Sequence, residues 1–206
     1  MGHNEIWNRA LVHLGHTGEE VTDYTTPETV AQEILAVVYN DAIELALGLY
    51  DWEFARRRSI LTNVTATYAP SPEWDFSWLL PDDMIRFRGF AIERPRTKRD
   101  RIQYEMARAS SDATKRIMMT REDPFQSTYP MIYTARITTE TLFTKTFEIS
   151  LAAALASVAA VPMTKSLEFA DRMLALAQQY ALKSEEVEAD TEQEIRQVSS
   201  IELARS

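Results

Sequence analysis

The sequence predicts an α+β protein, predominantly α, in which a four-helix bundle carries an inserted small antiparallel β subdomain and a polar C-terminal tail. Apolar residues recur with helical spacing before residue 54 and again after residue 138, which predicts the bundle. Short alternating, β-branched stretches lie between these parts and predict the strands. The predicted boundaries are 1–54 and 139–192 for the helical bundle, 55–138 for the β subdomain and 193–206 for the tail.

Two helices are predicted before the β subdomain. Asn4–Leu14 carries its apolar residues on one helical face, and Gly15 supplies a C-terminal stop. The second helix is expected to begin at Pro27, a residue suited to the first helical turn. One of the threonines Thr25–Thr26 can cap it, and Glu28 completes the spacing of a capping box. Its apolar stripe is expected to comprise Val30, Ile34, Val37, Val38, Ala42, Leu45 and Leu49.

The second helix is expected to end within the segment LYDWEFARRRSIL. Trp52 and Phe54 are expected to anchor this end in the bundle core, since aromatic side chains bury large apolar areas. Asp51 and Glu53 are expected to face solvent, and all four tryptophans of the chain to be core residues. Arg56–Arg58 then mark the structural junction between the helical part and the β subdomain.

Five stretches in the middle of the chain have the composition of short strands. In MIRFRGFAI, Met84, Arg86 and Arg88 alternate with Ile85 and Phe87, which is the spacing of a β-strand. The other four stretches are separated by polar linkers. They are RSILTNVTATY, RIQYEMA, KRIMMT and MIYTARI.

Two more helices are predicted after the β subdomain. The first is expected to end at Pro162, and Thr164 is expected to cap the second. After Lys183 the sequence becomes acidic and loses its large apolar residues, which is typical of a polar tail. The apolar stripes are Phe143, Phe147, Leu151, Leu155 and Val158 in the first helix and Phe169, Met173, Leu176 and Tyr180 in the second, with Ala170, Leu174, Ala177 and Ala181 beside the latter.

The composition narrows the function classes. The net charge of −9 is unevenly distributed: residues 1–55 hold ten acids against Arg9 alone, and residues 56–121 hold fourteen bases against eight acids. The absence of cysteine excludes disulfides, thiol nucleophiles and thiolate metal sites. No apolar run approaches the roughly 18 residues of a membrane span, and the start lacks a signal-peptide pattern, so we expect no membrane contact and folding in the cytoplasm.

No motif of the sequence favours catalysis or metal binding. His13 and His16 lie on either side of Gly15, away from any H-E-x-x-H spacing, and His3 has no motif partner. Five glycines leave no room for a phosphate-binding loop, and no G-x-S-x-G is present. We therefore predict no enzyme, no cofactor and no metal. The adjacent Asp82 and Asp83 leave one alternative open, a cell-wall hydrolase.

The most basic run is ERPRTKRDR, residues 93–101. Clustered bases can supply the phosphate contacts of a nucleic-acid-binding module. The alternative function is therefore nucleic-acid binding through residues 94–101 and Arg56–Arg58. Interspersed acids, the lack of aromatic residues and the acidic chain favour contact with an acidic protein surface instead. The residues assigned to inter-protein contact are Arg94, Arg96, Lys98, Arg99 and Arg101.

Five local patterns occur in a characteristic order. The chain opens with N-x-A-L-x-x-L-G from Asn8, continues with a Thr-Pro-Glu-led helix and ends that helix in L-x-x-W-x-F-A from Leu49. W-x-L-P-x-D-hydrophobic-x-R follows from Trp78, and two further helices run into the acidic segment Glu186–Glu192. In this order the chain resembles the head-to-tail adaptor (connector) proteins of tailed bacteriophages, similar to the tail tubular protein A family of short-tailed phages. Residues 93–128 do not align with this pattern.

The resemblance implies a structural virion protein located in the neck or tail and assembled in the host cytoplasm. Such adaptors form a ring, typically of about twelve copies, below the portal protein. The ring extends the DNA channel, lets genomic DNA pass without specific binding, and docks the next tail component, a nozzle or tail tube protein. In the family the C-terminal segment engages the portal. This implies portal binding by Ile195, Arg196, Val198, Ile201 and Leu203.

Overall fold

The computed structural model of the chain describes residues 2–91, 102–124 and 130–183. The chain forms two compact units. The first, here called the helical unit, consists of the chain before Ala55 and after Arg136. The second, the β unit, is Ala55–Arg136.

The helical unit contains four helices among its described residues. Helices α1 (His3–His13), α2 (Val30–Leu49) and α3 (Lys145–Thr164) are followed by α4 (residues 167–183). Short 3₁₀ turns occur at Glu53–Ala55 and Glu140–Leu142. Helix α3 packs against both α1 and α2, whereas α1 and α2 scarcely touch each other.

The β unit contains two antiparallel sheets. The first sheet has the strand order β1-β7-β4, and the second has the order β2-β3-β6-β5. Each link between neighbouring strands is antiparallel. The strands are β1 (Arg56–Ser59), β2 (Thr62–Asn63), β3 (Phe76–Leu79), β4 (Met84–Phe90), β5 (Tyr104–Arg108), β6 (Arg116–Thr120) and β7 (Met131–Ala135).

The predicted fold class is wrong. The protein is not a predominantly α four-helix bundle with a small insertion but a mixed α/β protein with four helices and seven strands in two antiparallel sheets. In a bundle each helix buries one apolar stripe against its neighbours. Here α3 is instead the centre of the helical unit, because every residue from Leu151 to Ser157 is buried. The β unit also has apolar residues enough for a core of its own, including Trp78, Met118 and Met131.

Helix α3 is central because small residues let its neighbours approach from several sides. Ala152, Ala153, Ala154 and Ala156 have no exposed surface, and the Ser150 hydroxyl donates to the Ala177 carbonyl oxygen of α4 at 2.9 Å. By length and composition alone α3 could cross a membrane, but 67% of its apolar window is buried inside the protein, as in the core helix of a globular unit.

The helix starts differ from the predicted ones. Helix α2 begins three residues later than expected, because Thr29 accepts a hydrogen bond from the Gln32 amide while the Gln32 side chain accepts one from the Glu28 amide. The predicted cap does not form, because the Thr25 hydroxyl donates to Asp23 Oδ1 at 2.6 Å instead. Likewise Ser166, and not Thr164, caps α4 by accepting from the Phe169 amide at 3.2 Å.

Helix α3 extends beyond its predicted end. Pro162 lies inside the last turn, and the helix continues to Thr164 before Lys165 ends it in a left-handed conformation, with φ 56°. The Lys165 amide donates to the Val161 carbonyl oxygen at 3.0 Å, which satisfies one of the last carbonyls of the helix.

Strand β4 contradicts the predicted alternation. Its register against β7 shifts between Met84 and Arg86 and again between Phe87 and Gly89, so that two bulges interrupt it. Met84, Phe87 and Phe90 pair with Ala135, Tyr133 and Met131, which are two residues apart along β7 and therefore share one face. Gly89 adopts φ 151°, a backbone angle that residues with a side chain rarely adopt.

Candidate interaction surfaces

Helix α2 presents an apolar face to solvent. Val37 is 80% exposed and Val30 is 71% exposed. They lie seven residues apart and therefore on the same side of the helix. The opposite side of α2 is buried, with Leu35 and Ala46 having no exposed surface. We call the exposed face the outer stripe; it consists of Val30, Ile34, Val37, Val38, Leu45 and Leu49, of which all but the two valines Val30 and Val37 are half-buried.

The outer stripe is most of the stripe that the sequence assigned to the core. Of the predicted members only Ala42 is buried, and the residues that do face α3 are a different set. Helix α2 therefore carries apolar residues on two sides, and exposed Asp41 lies within the outer stripe, four residues from both Val37 and Leu45. The buried set is Ala31, Gln32, Leu35, Tyr39, Ala42, Ile43, Ala46 and Leu47.

The C-terminal end of α2 is fixed by the predicted pair Trp52 and Phe54. Trp52 has no exposed surface and donates from its indole nitrogen to the Ala46 carbonyl oxygen at 2.9 Å. The Trp52 ring contacts the Phe147 ring edge-on, with centroids 5.0 Å apart, and the Phe54 ring also contacts the Phe147 ring at 5.0 Å. Trp52 therefore lies in the core of the helical unit, and Phe54 is half-buried. Of the two acids predicted to face solvent, Glu53 does so and Asp51 is half-buried.

A polar cluster lies against the middle of α2, on its buried side. The Tyr39 hydroxyl donates to Glu140 Oε1 at 2.9 Å, and His3 Nδ1 contacts the same oxygen. The His3 ring stacks on Tyr24 at 3.8 Å, and Trp7 lies edge-on to Tyr24 at 6.2 Å. The cluster joins α1, α2 and the turn before α3, which no local sequence pattern could predict because His3 and Glu140 are far apart in the chain.

Burial controls the protonation of this cluster. It lowers the pKa of His3 below its ordinary value of 6.5, against the opposing effect of the Glu140 carboxylate. Burial, reinforced by the negative charge of Glu140, raises the pKa of Tyr39 above that of a free phenol. A neutral His3 and a protonated Tyr39 can both donate to one carboxylate, so the cluster acts as a clamp between elements.

A groove of the β unit, about 690 Å³, lies between β4 and β5. Phe87 and Phe90 of β4 meet the Tyr104 ring of β5 at 4.7 and 6.4 Å. Arg116 of β6 reaches across it and donates to the Met84 carbonyl oxygen at 2.9 Å. The groove is lined by Leu80, Met84, Ile85, Arg86, Phe87, Tyr104, Glu105, Met106, Ala107, Arg108 and Arg116.

Several residues singled out in the sequence lie outside the described part of the chain. These are the basic run Arg94, Arg96, Lys98, Arg99 and Arg101 and the tail residues Ile195, Arg196, Val198, Ile201 and Leu203. Their assigned contacts stay predictions.

Asp82 and Asp83 lie in the turn between β3 and β4. The Met84 amide closes this turn by donating to the Pro81 carbonyl oxygen at 3.2 Å. The Tyr133 hydroxyl donates to Asp83 Oδ1 at 3.3 Å. Within residues 2–91, 102–124 and 130–183, no three histidine or carboxylate side chains are close enough together to hold a metal ion.

Among the tryptophans, Trp74 departs from the core position expected of it. Trp7, Trp52 and Trp78 are at most 3% exposed. Trp74 is only half-buried, and its indole nitrogen donates to Glu105 Oε2 at 2.9 Å. The Arg121 guanidinium lies over its ring at 5.8 Å from the centroid. Trp74 therefore supports the surface of the second sheet.

Comparison with known proteins adds no relative. No protein-family model matches the chain, and no curated protein matches it either.

Proposed function

We propose that the protein is a structural virion protein, a head-to-tail adaptor whose copies form a ring below the portal protein of a tailed bacteriophage. The ring extends the channel for genomic DNA and docks the next tail component. The proposal starts from the five ordered patterns that run from Asn8 to Glu192. It gains support from the surface of the helical unit.

The observation that carries the proposal is the outer stripe of α2. An exposed apolar face on a helix marks a surface that a partner covers. Copies arranged in a ring repeat one heterologous interface, in which a patch on each copy meets a different patch on the next. Val30 and Val37 are 71% and 80% exposed, so such a contact would bury more apolar surface at these two residues than elsewhere on the outer stripe.

The charge distribution is compatible with this role. The first 55 residues carry ten acids and one base, so the surface that they form repels DNA phosphates. A channel wall of this charge lets DNA pass without adhering. The predicted portal contact of the tail residues and the predicted protein contact of the basic run belong to the same proposal.

The decisive experiment combines the purified protein with the portal protein encoded in the same genome and images the mixture by electron microscopy. We expect a ring of additional density on the portal. A portal that stays bare would overturn the adaptor proposal.

A pair of α2 variants tests the role of the outer stripe. The double variant Val30→Asp/Val37→Asp places two charges in the stripe and is expected to abolish the ring. Ala36→Asp adds a charge to an exposed position of the same helix outside the stripe, and is expected to keep it. Circular dichroism confirms that both variants are folded. Rings of equal occupancy from both variants would show that the stripe is not the interface.

A further inference from the structure

Strand β5 is the edge of the second sheet in the described part of the chain, since its neighbour there is β6 alone. It is a regular strand, with all five residues paired in unbroken register from Tyr104 opposite Thr120 to Arg108 opposite Arg116. Tyr104 is 45% exposed and Met106 is 38% exposed. Regular, exposed edges of this kind are templates for pairing with another chain.

The orientation of the backbone groups follows from the ladder. The Ala109 amide donates to the Lys115 carbonyl oxygen at 3.0 Å, which places Ala109 opposite Lys115 in a hydrogen-bonded pair. Backbone groups alternate in direction along an antiparallel strand. The backbone amides and carbonyls of Ala107 and Glu105 therefore also point toward β6. The amides and carbonyls of Tyr104, Met106 and Arg108 point the other way, outward from the edge of the sheet.

The side chains of the same three residues lie on the groove side of the sheet. Ala107 and Ala109 pack on the opposite face, against Ile117 and Met119. Side chains alternate along a strand, so those of Tyr104, Met106 and Arg108 face the other way. The contact of Tyr104 with Phe87 confirms this direction. An added strand would thus meet an apolar lining at the Tyr104 end and a charged one at the Arg108 end.

Two arginines stand side by side at the charged end. Arg108 and Arg116 are directly opposite each other in the register, and like charges in this position repel. Within the described residues both guanidiniums donate only to backbone carbonyls, Arg108 to Ala113 and Arg116 to Pro81, Asp82 and Met84. Carbonyl oxygens leave the positive charge uncompensated. The pair therefore fits a ligand that brings carboxylates.

The chain itself contains a segment with this chemistry. Residues 186–194 read EVEADTEQE, with an acid at every second position and no base. A segment that pairs as a strand places alternate residues on one face. All five acids would then face one way. The acids are Glu186, Glu188, Asp190, Glu192 and Glu194.

We propose that the groove beside β5 binds residues 186–194 of a second copy of this chain as an added antiparallel or parallel strand, with its acids toward Arg108 and Arg116. Backbone hydrogen bonds along the edge would supply affinity, and the arginines would select acidic side chains. The contact joins different surfaces of two copies and so can propagate from copy to copy. It does not require the adaptor role, and it can fail without affecting that proposal.

Peptide binding tests the proposal directly. The receptor is the full chain with its own five acids of residues 186–194 changed to Gln or Asn, so that its own segment does not compete. The probe is a fluorescent peptide of residues 184–196, followed by anisotropy at low salt. We expect saturable binding that weakens as salt is added. A probe with the same five acids neutralised is expected not to bind, and equal binding of both probes would overturn the proposal.

Receptor variants locate the site. Arg108→Gln is expected to weaken binding about three- to fivefold, the range of an exposed charge pair. Arg172→Gln, a change on the exposed surface of α4, is the matched control and is expected to leave binding unchanged. Equal losses in both variants would indicate general charge attraction and would contradict the groove. Circular dichroism of each receptor excludes unfolding as the cause.

Backbone methylation tests strand pairing. Two probes carry N-methyl groups at alternate positions, one series at even and one at odd residues, because only every second amide of an added strand faces its neighbour. We expect one series to lose binding and the other to keep it. Equal behaviour of the two series would exclude strand addition.

The natural lack of cysteine permits a test in the intact protein. Full-length Met106→Cys and full-length Asp190→Cys are mixed and oxidised, because position 190 would lie on the face of the added strand that meets Met106 and Arg108. A disulfide between the two different variants is expected to form in excess over the pairs of identical variants. Val37→Cys replaces Met106→Cys as the control and is expected to give no such excess. If the control pairs as well as Met106→Cys, the contact is non-specific and the proposal fails.

Discussion

Helices α2 and α3 have the same length, 20 residues, and both are rich in apolar residues. They differ in how they are covered. Helix α3 is buried on every side over Leu151–Ser157, whereas α2 is buried on one side and exposes Val30 and Val37 on the other. Two helices of similar apolar content thus have different structural roles in the helical unit. In α3 the apolar residues build the core, and in α2 they build the core on one side and offer a contact surface on the other.

The largest difference in stability between α3 and α2 is expected when an apolar side chain is shortened to alanine in each helix. Leu151→Ala removes a side chain with no exposed surface and is expected to lower the free energy of unfolding by about 3 kcal/mol, since a cavity remains. Val37→Ala, on the outer stripe, is expected to change it by less than about 0.5 kcal/mol. Urea titration followed by far-ultraviolet circular dichroism measures both, since this signal follows the helices.

Leu151→Met serves as the control for that comparison. It keeps the volume of the side chain, and its cost is expected to stay below about 1.5 kcal/mol. If Val37→Ala destabilised the dilute protein as much as Leu151→Ala, the outer stripe would be part of the core of a single copy.

A smaller difference in stability between the two helices is expected when an alanine in each is replaced by a larger side chain. Ala156→Leu introduces a large side chain where no surface is exposed, and overpacking of this kind costs about 2 kcal/mol. In a protein of this size such a loss lowers Tm by about 6 °C. Ala36→Leu, at an exposed position of α2, is expected to leave Tm unchanged. Differential scanning calorimetry distinguishes them, and an unchanged Tm for Ala156→Leu would show that α3 has room on that side.

The smallest effect concerns the polar cluster of His3, Tyr39 and Glu140. The pKa of His3 is lower in the folded protein than the ordinary value of 6.5 because of burial, and burial and Arg9 likewise lower that of His13. The unfolded chain therefore binds more protons. Stability is fully present above about pH 6.5 and is lost as the pH falls through the folded-state pKa. We expect Tm to fall in this window.

Two variants check the source of this pH dependence. His3→Phe keeps a ring against Tyr24 and removes the titrating group, and His3→Phe/His13→Gln removes both. Comparing Tm at pH 7.5 and 5, we expect a smaller drop for the single variant and a still smaller one for the double. An equal drop in wild type and double variant would assign the effect to other groups.

Most helix and strand positions were predictable, because periodicity and turn residues act locally. Which face of α2 is buried was not predictable, since apolar residues occur on both sides and only the packing of α3 distinguishes them. The start of α2 was missed because the sequence offers two capping patterns, Thr25 to Glu28 and Thr29 to Gln32. The second one caps the helix, while the Thr25 hydroxyl donates to Asp23. Strand β3 was missed because its four residues offer little alternation.

The interaction surfaces were less predictable than the elements. The sequence predicted a core position for Trp52 and Phe54, because aromatic residues bury large apolar areas. Trp52 has no exposed surface, and Phe54 is half-buried. It did not find the pairing of Arg108 with Arg116, which depends on strand register, or the clamp of His3, Tyr39 and Glu140, which depends on the tertiary fold.

The two bulges of β4 have a consequence for solubility at high concentration. Irregular strands twist and bend, so they match a straight strand of another molecule poorly and resist uncontrolled sheet-to-sheet stacking. Deleting Arg88 or Gly89 would remove the second bulge and make β4 straighter, with Phe90 still opposite Met131 and on the same face as Phe87. The shortened protein is then expected to form amorphous or fibrillar aggregates more readily, at an unchanged net charge if Gly89 is the residue removed.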